Sequence, residues 1–355
     1  MGTTADRAVL DRWSLALQKA PTQTTRGRYN GFGKFMIRVI WLTCFLAPAV
    51  FHGLNQPAMA QTSHPSGPKK VAGPAVTSCG KGVTLSVSSS RVSQGSLVLA
   101  EVRSGGALTS VKGNWTGREV GFWEVARAES GGKIDRWRGL VGVDLEKEAG
   151  IYDLTVYVSR KDGDAVGCGA KVTVVVGRFP TERLKVENQF VEPDPEQADR
   201  AKKESAWLRG IYDTVTPDRL WKGPFRLPLD GVTTGGNFGR RRVLNGQSRS
   251  PHAGVDFASP TGTPVHATQD GQVVLAEPLF FSGNTVIIDH GLGIYTFYGH
   301  LSEIAVKSGE AIEVGEVLGK VGATGRVTGP HLHWALSVNR ARVNAVQLTT
   351  IFGAR

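Results

Sequence analysis

Three short segments in the last third of the chain concentrate side chains able to hold a metal or move a proton. Six of the eight histidines fall between positions 252 and 333. Pro251-His252-Ala253-Gly254-Val255-Asp256 sets an imidazole and a carboxylate four residues apart, His331-Leu332-His333 sets two imidazoles two apart, and Tyr298-Gly299-His300-Leu301 contributes one more. Zinc accepts His nitrogen and carboxylate oxygen, and a catalytic zinc centre usually has three protein ligands and one position left for water. His252, Asp256 and His333 supply that set.

Spacing constrains how these residues meet. Alternate residues of a strand share a face, so His331 and His333 enter one site while Leu332 points to the opposite core. If His333 binds the metal, His331 stands about one side chain away, within reach of a bound water or a reacting carbonyl. In the first segment, four residues of extended chain separate His252 from Asp256 by roughly 13 Å, so a bend is required. Gly254 is placed to provide it, and its missing side chain leaves room beside a metal. A helix is disfavoured by Pro251, Gly254 and Val255, and no Glu follows His252 as in the helical zinc motif. His266 and His290 belong to no paired motif and read as structural or exposed, and His52 and His64 fall in N-terminal segments with no ligand context.

These motifs resemble the lysostaphin and LytM type of peptidoglycan metalloendopeptidases. The similarity runs from about Phe238 to Asn344 through Phe238-Gly239, the HAGVD stretch, Gly271 and Val273, Asp289-His290-Gly291, the YGHL stretch, Gly315-Glu316, and Gly325 to Trp334. The resemblance implies a central antiparallel sheet with a narrow groove above it. It also implies one Zn2+ held by His252, Asp256 and His333, with His300 and His331 lining the site and assisting catalysis. The implied substrates are stem-peptide or bridge amides of peptidoglycan. The function expected is zinc-dependent hydrolysis of peptide cross-links, with a catalytically inactive cell-wall binding or amidase-activating member of the family as the alternative. Which amide is cut stays open. The strand and turn rhythm from Val306 to Gly319 resembles biotinyl and lipoyl carrier domains, but no lysine in a tight hairpin supports a carrier, and that reading leaves the histidine motifs unexplained.

The elements expected to position these residues are mainly β. Residues 76–177 read as an immunoglobulin-like sandwich of short strands. Tyr152, Leu154, Val156 and Val158 alternate with Asp153 and Thr155, and Lys171 to Val176 form a closing strand. Glu148 to Leu154 resembles the tyrosine-corner approach to a late strand of that fold. Trp115, Trp123 and Trp137 are either core or a binding platform. Residues 178–219 form a linker with a strand and a helix from about Pro195 to Tyr212, whose Trp207, Leu208 and Ile211 make one apolar stripe for docking on the final domain, residues 220–355.

At the N-terminus, Arg26, Arg28, Lys34 and Arg38 precede an apolar run from Val39 to Phe51 and then Ala58-Met59-Ala60, the order of a secretory signal cleaved after Ala60. Met36 is a candidate start. Residues 61–75 are a Pro-, Gly-, Ser- and Lys-rich leader. Export to the periplasm or outside the cell follows, without stable membrane insertion. The chain carries a formal net charge of +11 and stays basic without the signal. That charge favours anionic partners, here the carboxylates of peptidoglycan peptides and not nucleic acid, with Arg240, Arg241 and Arg242 as candidate contacts. Cys79 and Cys168, the two cysteines left after the signal, flank the sandwich and are expected to pair.

Overall fold

The structure, a computed structural model, describes residues 73–125, 134–161, 163–185 and 194–352. The signal segment, its cleavage site and most of the leader lie outside the described residues. The described residues form one compact unit, mainly β as expected.

Among the described residues, nine strands make the N-terminal part: β1 (Ala75–Gly80), β2 (Val83–Val87), β3 (Arg91–Ser93), β4 (Leu97–Ser104), β5 (Leu108–Trp115), β6 (Arg118–Glu124), β7 (Asp135–Gly142), β8 (Gly150–Arg160) and β9 (Ala165–Val175). They form one hydrogen-bonded path, β1-β2-β4-β7-β6-β5-β8-β9-β3, because β6 pairs with β7 on one side and β5 on the other. The path folds over a common core in which Leu85, Val98 and Val102 meet Val111, Val156 and Val172. Alternation in β8 decides what points inward: Leu154, Val156 and Val158 are buried, whereas Asp153 and Tyr157 face water. A disulfide joins Cys79 of β1 to Cys168 of β9, with Cα atoms 5.2 Å apart, and so ties the first strand to the last long one. Tyr152 donates its hydroxyl hydrogen to the Glu148 carbonyl at 2.9 Å.

A connecting strand, β10 (Thr181–Leu184), leads to the helix α1 (Pro195–Asp213). Asp194 caps α1 by accepting from the Gln197 amide at 3.0 Å, and Pro195 occupies its first turn. Leu208, Ile211 and Tyr212 pack on Leu275, Leu279, Ile287 and Tyr295, so the helix lies across the C-terminal sheet. Trp207 departs from the expected stripe: it is exposed, and buried Ala201 marks the packed side. The helical period of 3.6 residues turns position 207 away from the line through 201, 208 and 212.

The C-terminal part contains β11 (Arg241–Leu244), β12 (Gln247–Ser248), β13 (Gly254–Ala258), β14 (Pro264–His266), β15 (Gly271–Leu279), β16 (Gly283–Asp289), β17 (Ile294–Ile304), β18 (Ala311–Ile312), β19 (Val317–Val321), β20 (His331–Val338), β21 (Ala341–Val343) and the helix α2 (Val346–Ile351). The main sheet is antiparallel in the order β13-β20-β17-β16-β15-β18. A separate small sheet is made when β10 joins β11 in parallel and β11 turns back into β12.

The two parts share a core. Leu97, Trp123 and Leu140 of the N-terminal strands are buried with Trp221, Phe225, Leu292 and Ala341, and the Trp123 and Trp221 rings meet edge to face at 5.2 Å. Arg342 holds Asp144 through Nε at 3.0 Å and a terminal nitrogen at 2.7 Å. A side chain at Gly142 would come within 2.7 Å of the Val338 carbonyl, so the strands touch backbone to backbone. Of the three tryptophans weighed as a platform, Trp115 is buried in the N-terminal core, Trp137 packs against it, and Trp123 is buried at the seam. Trp137 stays partly exposed.

Candidate metal centre

Register brings the predicted ligands together. Asp256 in β13 stands directly opposite His333 in β20, and His333 stands opposite Gly299 in β17. Directly opposed residues project to the same face, so three neighbouring strands present Asp256, His333 and the Gly299-His300 segment in one row. Leu332, between the two histidines of β20, is fully buried on the other face. Tyr298 is likewise core, its hydroxyl held by Thr268 at 2.9 Å and Thr296 at 3.1 Å.

His252 reaches the row from outside the strand. Its amide donates to the Arg240 carbonyl at 2.9 Å and its carbonyl accepts from the Gly239 amide at 2.8 Å; the pairing with β20 begins only at Gly254. The required bend therefore comes from this change of partner before β13, not from Gly254, which is an ordinary strand residue. The missing side chain of Gly254 leaves room for the His333 ring.

His300 lies inside β17, which continues to Ile304. In a regular strand His300 would point away from the face used by its neighbour Gly299. Its φ of 65° breaks the alternation and turns the ring back toward the row. The ring centroid lies 4.8 Å from that of His331 and 5.9 Å from that of His333.

The polar atoms converge. His252 Nε2 is 3.1 Å from Asp256 Oδ1 and 3.0 Å from His333 Nδ1, and His333 Nδ1 is 3.0 Å from Asp256 Oδ1. Tetrahedral zinc with bonds of about 2.05 Å spaces its ligand atoms about 3.3 Å apart, so these donors fit such an ion with small adjustment. Burial raises the Asp256 carboxyl, but hydrogen bonds from His252 and His333 outweigh it and hold the group far below the usual carboxylate range. Burial also lowers His333. Burial takes His300 down to about 4, although the Thr324 carbonyl opposes the shift.

A further residue escaped the sequence reading. Asn237 donates its side-chain amide to Asp256 Oδ2 at 3.0 Å, and its carbonyl accepts from His252 Nδ1 at 3.0 Å. It thus fixes two of the three candidate ligands, leaving His252 Nε2 and Asp256 Oδ1 to face the centre. Asn237 has a φ of 72°, a conformation that Asn tolerates better than most residues. The signal was an Asn immediately before the Phe238-Gly239 pair. His331 Nδ1 and His300 Nδ1 are anchored similarly, by the carbonyls of Gly329 and Thr324, each at 2.9 Å.

His290 and His266 stand apart. His290 is fully buried between the Asp270 carbonyl and the Thr296 hydroxyl, both at 2.7 Å, and burial lowers its pKa to about 4. His266 bonds the Gly315 carbonyl at 2.9 Å.

Two histidines and a carboxylate converging on an antiparallel sheet, with two further imidazoles beside them, define a hydrolytic metal-site class. Residues 250–345 match the family model Peptidase family M23. The chain is 31% identical to the crystal structure described as a peptidase M23 from Pseudomonas aeruginosa, covering 71% of this chain and 92% of that one with a TM-score of 0.53. The chain belongs to peptidase family M23. It is also similar to peptidoglycan DD-endopeptidase ShyA of Vibrio cholerae, 42% identical over 42% of this chain and 35% of that protein. The DD-carboxypeptidase/endopeptidase Mpg of Neisseria meningitidis is 40% identical over 36% of this chain and 30% of its own. The match thus spans about a third of the length of these curated relatives.

Proposed function

We propose that this protein is an exported zinc endopeptidase that hydrolyses peptide cross-links of bacterial peptidoglycan. The observation that carries the reading is the convergence of His252, Asp256 and His333 within 4.8 Å of one another, with His300 and His331 against them. Family membership and the activities named for ShyA and Mpg support the substrate class. Among the described residues no helix is long and apolar enough to cross a membrane; the export reading rests on the N-terminal sequence.

Zinc at this centre would polarise the scissile carbonyl and lower the pKa of a water. The surrounding residues divide the remaining work. A carbonyl oxygen only accepts, so His300 and His331 each donate from Nδ1, and Nε2 is the ring nitrogen left to face the site. His331 Nε2 lies 3.6 Å from Asp256 Oδ1, beside the three ligands. His331 is assigned as the general base that takes the water's proton, and His300 as its partner in orienting the water or stabilising the intermediate.

Zinc content measured beside muropeptide cleavage for the purified protein tests this function. Stoichiometric zinc with cleavage of cross-linked muropeptides is expected. Zinc without cleavage would favour the inactive family member, and no zinc would remove the mechanism.

A further inference from the structure

Two of the three candidate ligands are held by a loop, residues 236–240, that lies outside the main sheet. Gly236 and Asp256 exchange both backbone hydrogen bonds, at 3.0 and 2.9 Å, and the Gly239 amide and Arg240 carbonyl bracket His252. Asn237, between them, holds the far side of both side chains. His333 needs none of this, since β20 fixes it between β13 and β17. Asn237 and Gly239 both sit in the left-handed region, with φ of 72° and 73°. Glycine has ready alternatives to that conformation and Asn is disfavoured in it, so the shape must be held from outside.

Earlier parts of the chain do the holding. The Phe238 ring rests on Gly95 of the N-terminal part, so closely that a Cβ at Gly95 would lie 2.5 Å from it. Gly95 is itself buried and locked, donating to the Val143 carbonyl at 3.0 Å and accepting from the Asn344 amide at 2.9 Å. Phe179, in the segment that joins the two parts, meets the Phe238 ring edge to face with centroids 6.0 Å apart. The same Phe179 ring covers buried Gly239, and a Cβ at Gly239 would collide with it. That segment is tied on both sides of Phe179. The Gly177 amide donates to Gln94 Oε1 at 3.1 Å, and the Arg241 amide donates to the Pro180 carbonyl at 2.9 Å, just ahead of the pairing of β10 with β11. Phe179 carries no metal donor, so its effect on the centre runs through the loop.

We propose that Phe179 is a positioning residue for the metal centre: packed on Phe238 and Gly239, it keeps the loop in the shape that presents His252 and Asp256, so that zinc affinity is set in part by the segment joining the two β parts. The inference rests on the zinc reading and adds to it a dependence on residues that hold no metal. A loop that visits its ligand-presenting shape for only a fraction of the time weakens the apparent affinity by that fraction. Removing the Phe179 ring uncovers Gly239 and one edge of Phe238 and gives the loop other states to occupy, while His333 stays in place. The N-terminal part, through Gln94 and Gly95, thereby acts on the site without entering it.

The test titrates zinc against a competing chelator for the full chain as wild type, Phe179→Ala, Phe179→Leu and Val156→Ala, the last a control in the N-terminal core. Thermal melts and amide exchange of the zinc-free proteins accompany it. Phe179→Ala should weaken zinc binding about 10- to 100-fold and speed exchange across residues 236–252, with Phe179→Leu recovering part of the loss. Its muropeptide cleavage should fall at limiting zinc and return toward the parent rate at saturating zinc, with KM little changed. Val156→Ala should melt earlier yet keep the parent zinc affinity. Parent-like affinity in Phe179→Ala, or an equal loss in Val156→Ala, overturns the positioning role and leaves the endopeptidase reading intact. A wild type that binds no zinc overturns both. If Phe179→Ala fails to fold, Phe179→Leu carries the test, and parent-like affinity there overturns the proposal.

Discussion

Gly254 and His333 approach so closely that only hydrogen fits on the Gly254 α-carbon: a Cβ there would lie 2.5 Å from His333 Cε1 and 2.6 Å from Nε2. The Trp334 carbonyl, 2.9 Å away, closes the other side. Gly254→Ala should displace the His333 ring and weaken zinc binding by at least about tenfold while the sheet survives. Zinc titration with a competing chelator, beside circular dichroism, checks this; an unchanged affinity would mean that His333 is not a ligand.

Ligand and proton-transfer roles separate by substitution. His252→Ala and His333→Ala are expected to lose zinc and cleavage together. His300→Ala and His331→Ala should retain zinc and lose about 10² to 10⁴ in turnover. Metal analysis paired with muropeptide kinetics distinguishes the groups, and parent-like cleavage by both of the latter variants would refute their catalytic assignment.

Asn237 offers a test of positioning. Asn237→Gly keeps the left-handed backbone accessible but deletes the amide that holds Asp256 Oδ2. Zinc affinity should fall about 10- to 100-fold. The same substitution should leave the melting profile close to that of the parent, since the lost bond lies in the site and not in the core.

The seam should make the two β parts unfold together. Trp123→Ala removes a ring shared by both and is expected to cost about 3 to 5 kcal/mol. Calorimetry should give one transition for the parent, shifted as a whole in the variant. Two transitions, of which only the first moves, would show independent parts.

Buried His290 predicts a pH dependence. Its folded pKa, about 4, lies below the unfolded value of about 6.5, so the unfolded chain binds the extra proton between these values. Stability from this group is therefore full above about pH 6.5 and declines as pH falls toward 4, by up to about 3 kcal/mol. The difference in unfolding free energy between pH 7.5 and 5 should shrink in His290→Gln relative to the parent, measured by urea titration. An identical difference in both proteins would place the titration elsewhere.

Much of the site was legible because its chemistry is local. The two-residue spacing of His331 and His333 determines a shared face on any strand, and the donor types of His252, Asp256 and His333 determine which metals suit them. The helix from Pro195 was equally readable, since proline suits a first helical turn, whereas its Asp194 cap was not. An even pair of cysteines flanking one β segment was enough to anticipate the Cys79–Cys168 bond.

What the sequence did not determine depends on which strands become neighbours. The bend at His252 arises because one residue pairs with Gly239 and Arg240 while the next strand pairs with β20, and no local preference encodes that exchange. The turned backbone of His300 is unfavourable by itself and is held by the Ser282 and Thr324 carbonyls, 18 and 24 residues away in the chain. Trp123 could be assigned to a core from its type, but not to the seam, because burial against Trp221 exists only after both parts have docked. Tertiary structure alone decided these features, since each is a contact between distant segments whose free energy appears only when the whole fold is in place.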